Sequence, residues 1–199
     1  MNVEQHEVGR TYFPVTKGGI FDCKCELTVT YYPIQQQGGY KCVGANAQFH
    51  YPAVFGDNSD ASLSIISSYQ MAVDAGAIDG KKKIFLNIAP CSLTSIGGAS
   101  EGAATVLAFL GCKMPENSMI TGFVDSFGLT KISHSELMNE PIHKIDCLKS
   151  KALGAGKCRL TLLFPEENAH EFGKDIPKNA IPVATIGKAL SQIKKMQTQ

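Results

Sequence analysis

A serine set among small residues, Gly97-Gly98-Ala99-Ser100-Glu101-Gly102, opens the apolar run AATVLAFLG. Two glycines and an alanine let the backbone turn tightly, and the Ala/Leu-rich stretch that ends at Gly111 predicts a helix beginning at about Ser100. A serine at such a place has two readings. Its hydroxyl can cap the helix by accepting from an N–H two or three residues on. It can also be a nucleophile, because unpaired N–H groups and the positive end of the helix dipole gather around Oγ. Backbone donors at Gly98, Ala99 and Ser100 would then face the oxyanion of an acyl transfer.

A serine nucleophile needs a base. The five histidines, His6, His50, His134, His143 and His170, fall in tail, loop or polar-insertion contexts, where a surface role is the default, although each stays open as a base at this level. Lysine is the other candidate, since an ammonium moved into an apolar pocket loses proton affinity and can work as a neutral amine. In DCLKSKALGAG, Lys149 has Ile145 four residues before it and Ala152 and Leu153 after it, which gives it an apolar helical face. Lys151 looks toward Cys147 and Gly154 or Ala155, a less discriminating neighbourhood. Most helical lysines are solvated surface charges, so the pattern by itself favours Lys149 over Lys151 only slightly and leaves the base open. A cysteine hydrolase built on Cys91, Cys112 or Cys147 with a histidine is a weaker alternative, because none of the three sits at a glycine-framed helix start.

The elements that must position these residues change character along the chain. TYFPV, FDCKCELTVTYYP and YKCVGANAQF, separated by Gly18-Gly19 and Gly38-Gly39, read as an antiparallel meander. Asp60–Ala75 carries a helical stripe with Asp60 as N-cap and Gly76 as the stop, and KIFLNIAP is a strand. A short strand at MITGFV, a polar insertion at His134–Pro141 and a helix over Asp146–Ala155 follow. A buried strand RLTLLF, a helical turn over Glu166–Phe172 and an amphipathic helix over Ile186–Met196 complete the chain. Strands followed by alternating elements give an α+β class. The 199 residues suit one domain, 1–199, with residues 1–10 and 197–199 as tails.

The motifs resemble those of Lon-type peptidases. GGASEGAATVLAFLG looks like the family's nucleophile segment, a Gly, Pro, Ser, small residue, Gly core that opens a helix. CLKSKALGAGKCRLTLLFPEEN is similar to the segment that carries its base, MITGFV to a Met-Thr-Gly-Glu-Val strand, and IPVATIGKALSQ to the closing helix. Pro90 falls at the family's proline spacing, and the opening strands are similar more weakly. The resemblance implies the Lon proteolytic-domain fold and a serine endopeptidase with a Ser/Lys dyad. It implies Ser100 as nucleophile, Lys149 as general base, and Thr121 as the hydroxyl that orients the amine. Departures from the pattern are Gly97-Gly98-Ala99 before the serine, Glu101 after it, Phe123 in place of an acidic residue, and a longer, more polar stretch from Ser126 to Lys144. The alternative reading is a catalytically inactive module of this fold, used for protein binding or assembly.

Composition narrows the partners. A net charge of +1, from 19 basic and 18 acidic residues, gives no electrostatic footprint for nucleic acid or membrane. The sequence lacks the GxxxxGK[ST] loop, so ATP-independent cleavage of flexible polypeptide is expected, as in the stand-alone Ser/Lys proteases of this fold that process viral polyproteins. A homo-oligomer is compatible with these features. Seven cysteines, an odd number, with no signal-like start, suggest reduced thiols in the cytoplasm, the host's if the protein is viral. Cys23 and Cys25 alternate with Asp22, Lys24 and Glu26 on one strand face and do not match zinc spacing, so no metal or other cofactor is expected.

Overall fold

The computed structural model describes residues 7–34, 38–43, 47–89, 96, 98–124 and 131–198. The elements run β1 (Glu7–Lys17), β2 (Ile20–Thr30), β3 (Tyr40–Val43), β4 (Phe49–Pro52), α1 (Asp60–Asp74), β5 (Ile84–Ala89) and α2 (Gly102–Phe109). Then come β6 (Ser118–Ile120), α3 (His134–Asn139), α4 (Leu148–Lys157), β7 (Thr161–Pro165), a 3-10 helix (Glu166–Phe172), β8 (Ala180–Val183) and α5 (Ile186–Gln197). The class is α+β, with two sheets and helices packed around them.

The first sheet has the order β1-β2-β5-β4-β3, antiparallel except where β4 meets β5. The expected meander is corrected here: β1/β2 and β3/β4 are each hairpins, but β5 separates them. The reason lies in side-chain type. IFLNIA is apolar almost throughout and buried over its first five residues, so β5 needs cover on both faces and takes the middle of the sheet. The short, partly exposed YKCV of β3 falls to the edge. The second sheet, β6-β7-β8, is parallel throughout.

Helix α2 lies at the centre. All eight of its residues are buried, as expected of a segment that is apolar all round. Phe109 meets Phe49 edge-on, and Phe49 stacks on Tyr69 with ring centroids 4.5 Å apart, so β4, α1 and α2 share one aromatic cluster.

Several sequence expectations shift at element ends. Residues 7–10, expected in a tail, belong to β1. Arg10 is held there by its N–H to Cys112 O at 2.7 Å and by Met114 N–H to its own carbonyl at 2.8 Å. Gln197, also placed in a tail, belongs to α5. Ser59, rather than Asp60, caps α1, accepting from Ser62 N–H. The polar insertion at 134–141 contains α3, nucleated by a capping box between Ser133 and Glu136. Residues 1–6, Pro90 and Cys91 lie outside the described residues.

Candidate active site

The start of α2 is stitched to the segment that follows β6. Gly122 N–H donates to Ser100 O at 2.8 Å, Thr121 Oγ1 donates to the same carbonyl at 3.3 Å, and Ala103 N–H donates to Gly122 O at 3.0 Å. Thr121 is itself anchored by its N–H to Leu163 O of β7 at 3.0 Å. Gly102 makes the close approach possible, because a Cβ there would stand 2.9 Å from Ser64 Oγ and 3.1 Å from Val124 N. The helix N-cap is Glu101, whose side chain makes no capping hydrogen bond, and no backbone N–H of a described residue donates to Ser100 Oγ. The capping role weighed for Ser100 is therefore not the one its hydroxyl plays.

That hydroxyl meets a lysine. Lys151 Nζ donates to Ser100 Oγ at 3.0 Å and to Thr121 Oγ1 at 3.0 Å. Lys151 is only 3% exposed, and burial pulls its pKa down from 10.5 to about 8, against the opposing pull of Cys147, Glu101 and Asp146. Thr121 has one proton, directed at Ser100 O, so its oxygen accepts from the lysine. A neutral amine held in this way by one N–H can turn its lone pair toward Ser100.

The expectation for Lys149 is corrected by this geometry. Lys149 is exposed and lines a different recess, with Leu153, Lys157, Phe172 and Asn179 among its walls. Helix α4 buries Leu148, Lys151, Ala152, Gly154 and Ala155 and leaves Leu153 62% exposed. The phase is set by Gly154, where a Cβ would lie 2.1 Å from Phe21 Cγ, and by Phe21 N–H donating to Ser150 Oγ at 2.8 Å. The small residues Gly154 and Ala155, which give the helix room to press against β2, were the available signal. Leu153, the larger apolar residue, lies on the exposed face with Lys149.

No protein-family model and no curated protein matches this chain.

Next to the nucleophile candidate stands a residue that sequence reasoning registered only as a departure from a pattern. Glu101 is 1% exposed, and burial raises its pKa from 4.5 to about 8, partly offset by its own backbone, by Ser64 and by Lys151. Ser64 Oγ lies close enough to favour the ionised carboxyl, yet neither it nor Glu101 Oε1 makes a hydrogen bond of normal geometry to a described residue.

Ser100 and Lys151 open on a cleft of about 310 Å³ whose walls include Thr16, Asp60, Phe123 and Asp146. Gly98 and Ala99 also line it, and none of the N–H groups of Gly98, Ala99 and Ser100 donates to a described residue. No described histidine lines this cleft. Cys147 does, as the left-handed residue that begins α4, whereas Cys112 is buried and its thiol is pushed up to about 11 by that burial. Cys23 and Cys25 share a strand face with sulfurs 3.7 Å apart. Among the described residues no group of three His, Cys, Asp or Glu could hold a metal ion, and no helix is long and apolar enough to cross a membrane.

Proposed function

We propose that the chain is a serine peptidase of the Lon type, with Ser100 as nucleophile, Lys151 as general base and Thr121 as the group that orients the amine. The observation that supports this most is the buried lysine amine 3.0 Å from two hydroxyls. A surface lysine stays protonated at neutral pH and cannot accept the serine proton, whereas one held near pKa 8 is neutral in a useful fraction of molecules.

In the proposed reaction Lys151 takes the Ser100 proton as Oγ bonds to the scissile carbonyl carbon. The resulting oxyanion is placed to accept from N–H groups of the 98–100 turn, where the α2 dipole adds to the stabilisation. Lys151 then gives its proton to the leaving amine, the C–N bond breaks and an acyl-Ser100 ester remains. A water, deprotonated by the same lysine, attacks the ester, and the proton returns to Oγ as the acid product leaves. The substrate is a flexible polypeptide segment that can extend through the cleft.

Labelling with a fluorophosphonate tests this reading. The probe is expected to modify Ser100, located by peptide mass spectrometry, and the Ser100→Ala protein is expected neither to be labelled nor to cleave casein. Cleavage by Ser100→Ala at the wild-type rate would overturn the assignment.

A further inference from the structure

Beside the cleft lies a smaller recess of about 270 Å³, whose walls include Asp60, Leu63, Ala99 and Phe123 among the described residues. Asp60, Ala99 and Phe123 line both spaces, so the recess opens one residue from the nucleophile. It falls just below the range of about 300–1,000 Å³ that houses whole small molecules, a size for one side chain. Leu63 is left 38% exposed at its wall although it sits on a helix with a largely buried face. Asp60 is the one charged wall of the recess among the described residues, and its carboxylate makes no ion pair or side-chain hydrogen bond to a described residue.

We propose that this recess receives the side chain of the residue that owns the scissile carbonyl, and that it selects lysine or arginine. The assignment to the acyl side rests on the Ser100/Lys151 reading. With the carbonyl oxygen directed at the 98–100 turn, the residue carrying that carbonyl has the shortest path into a space bounded by Ala99. Specificity for a basic residue follows from the walls. Leu63, Ala99 and Phe123 cover the methylene stem, as apolar surface does for long cationic side chains, and the Asp60 carboxylate, which no described side chain pairs, meets the cationic head. A purely apolar side chain would fill the same space and bring no charge to the carboxylate. Lys144 and Asp146 line the neighbouring cleft with opposite charges and are absent from the recess.

The test measures binding without turnover, on the Ser100→Ala protein. Three peptides identical except for a C-terminal Lys, Leu or Glu are titrated by calorimetry. The expected order is Lys, then Leu, then Glu. The Lys peptide should bind roughly fivefold more tightly than the Leu peptide, the size of a charge pair at a solvent-reached rim, with the advantage shrinking as salt is added. Adding Asp60→Asn should bring the Lys/Leu ratio to about one, and adding Asp60→Lys should put the Glu peptide first. Leu binding as tightly as Lys, or a ratio unmoved by Asp60→Asn, overturns the proposal. Turnover of longer peptides by the protein that retains Ser100 is measured in parallel. An intact binding order with no turnover would overturn the hydrolase reading, and with it the acyl-side assignment, and leave the recess as a binding site for a basic side chain, while turnover with no binding order would overturn the recess assignment alone.

Discussion

Lys149 and Lys151 lie two residues apart on α4 and occupy opposite worlds. Lys149 reaches into solvent beside Leu153 and Lys157. Lys151 is enclosed, shares hydrogen bonds with two hydroxyls and has its proton affinity lowered to about 8. Two residues turn a helix by about 200°, so the inward or outward fate of each lysine depends entirely on the rotational phase of α4 against β2. Chemistry at this site is thus a property of packing: the same ammonium is an inert surface charge on one face and a candidate base on the other.

The largest expected effect separates the two faces directly. Lys151→Met and Lys151→Arg should each lower acylation of a peptide substrate by about 10²–10⁴-fold, the usual worth of a general base, Met because it has no lone pair to offer at nitrogen and Arg because guanidinium stays charged. Single-turnover kinetics beside Lys149→Met, expected to keep its rate, would decide between the two faces. Loss in Lys149→Met with retention in Lys151→Met would reverse the comparison. In the wild-type protein the rate should rise with pH and level off above about pH 8, as the amine becomes neutral.

A smaller effect is expected at the hydroxyl that steadies the amine. Thr121→Val keeps the shape but leaves a buried N–H without an acceptor, a loss of about 1–3 kcal/mol. That should appear as a fall of about tenfold or more in the acylation rate, with Thr121→Ser restoring most of it. Equal rates in Thr121→Val and wild type would remove the hydroxyl from the site's chemistry.

The enclosed face should also leave a signature in stability. Glu101 holds its proton in the folded state up to about pH 8 but loses it near 4.5 once unfolded, so the fold binds more protons and loses stability as pH rises across that window. Lys151 has the opposite sign: the unfolded chain keeps the proton to about 10.5, so stability recovers as pH rises from about 8 to 10.5. Chemical denaturation across pH should therefore show a minimum near pH 8. Glu101→Gln should flatten the acid limb, and Lys151→Met should flatten the alkaline limb while raising stability at pH 7. A wild-type profile that is flat from pH 5 to 10 would count against the burial of both groups. The smallest effect belongs to the exposed face, where Lys149→Ala should change stability by no more than about 0.5 kcal/mol in thermal unfolding.

Much of this arrangement was legible in the residue order. The Ala/Leu-rich run after Gly102 marks a helix that ends at Gly111, the glycine pairs at 18–19 and 38–39 mark turns, and the small residues around Ser100 mark the tight approach to that helix. Local pattern suffices for such features because each depends on near neighbours along the chain. Three things were decided only in three dimensions. The place of β5 between the two hairpins came from the need of an apolar strand for cover on both faces. Asp60 enters the cleft because α1 runs beside the start of α2, where Ser64 stands against Gly102. The choice of Lys151 over Lys149 came from Phe21, on a distant strand, seating against Gly154. An amphipathic pattern read along the chain gives a helix its apolar side only approximately, and a partner that needs the space of a missing Cβ can rotate it past the side with the larger residues.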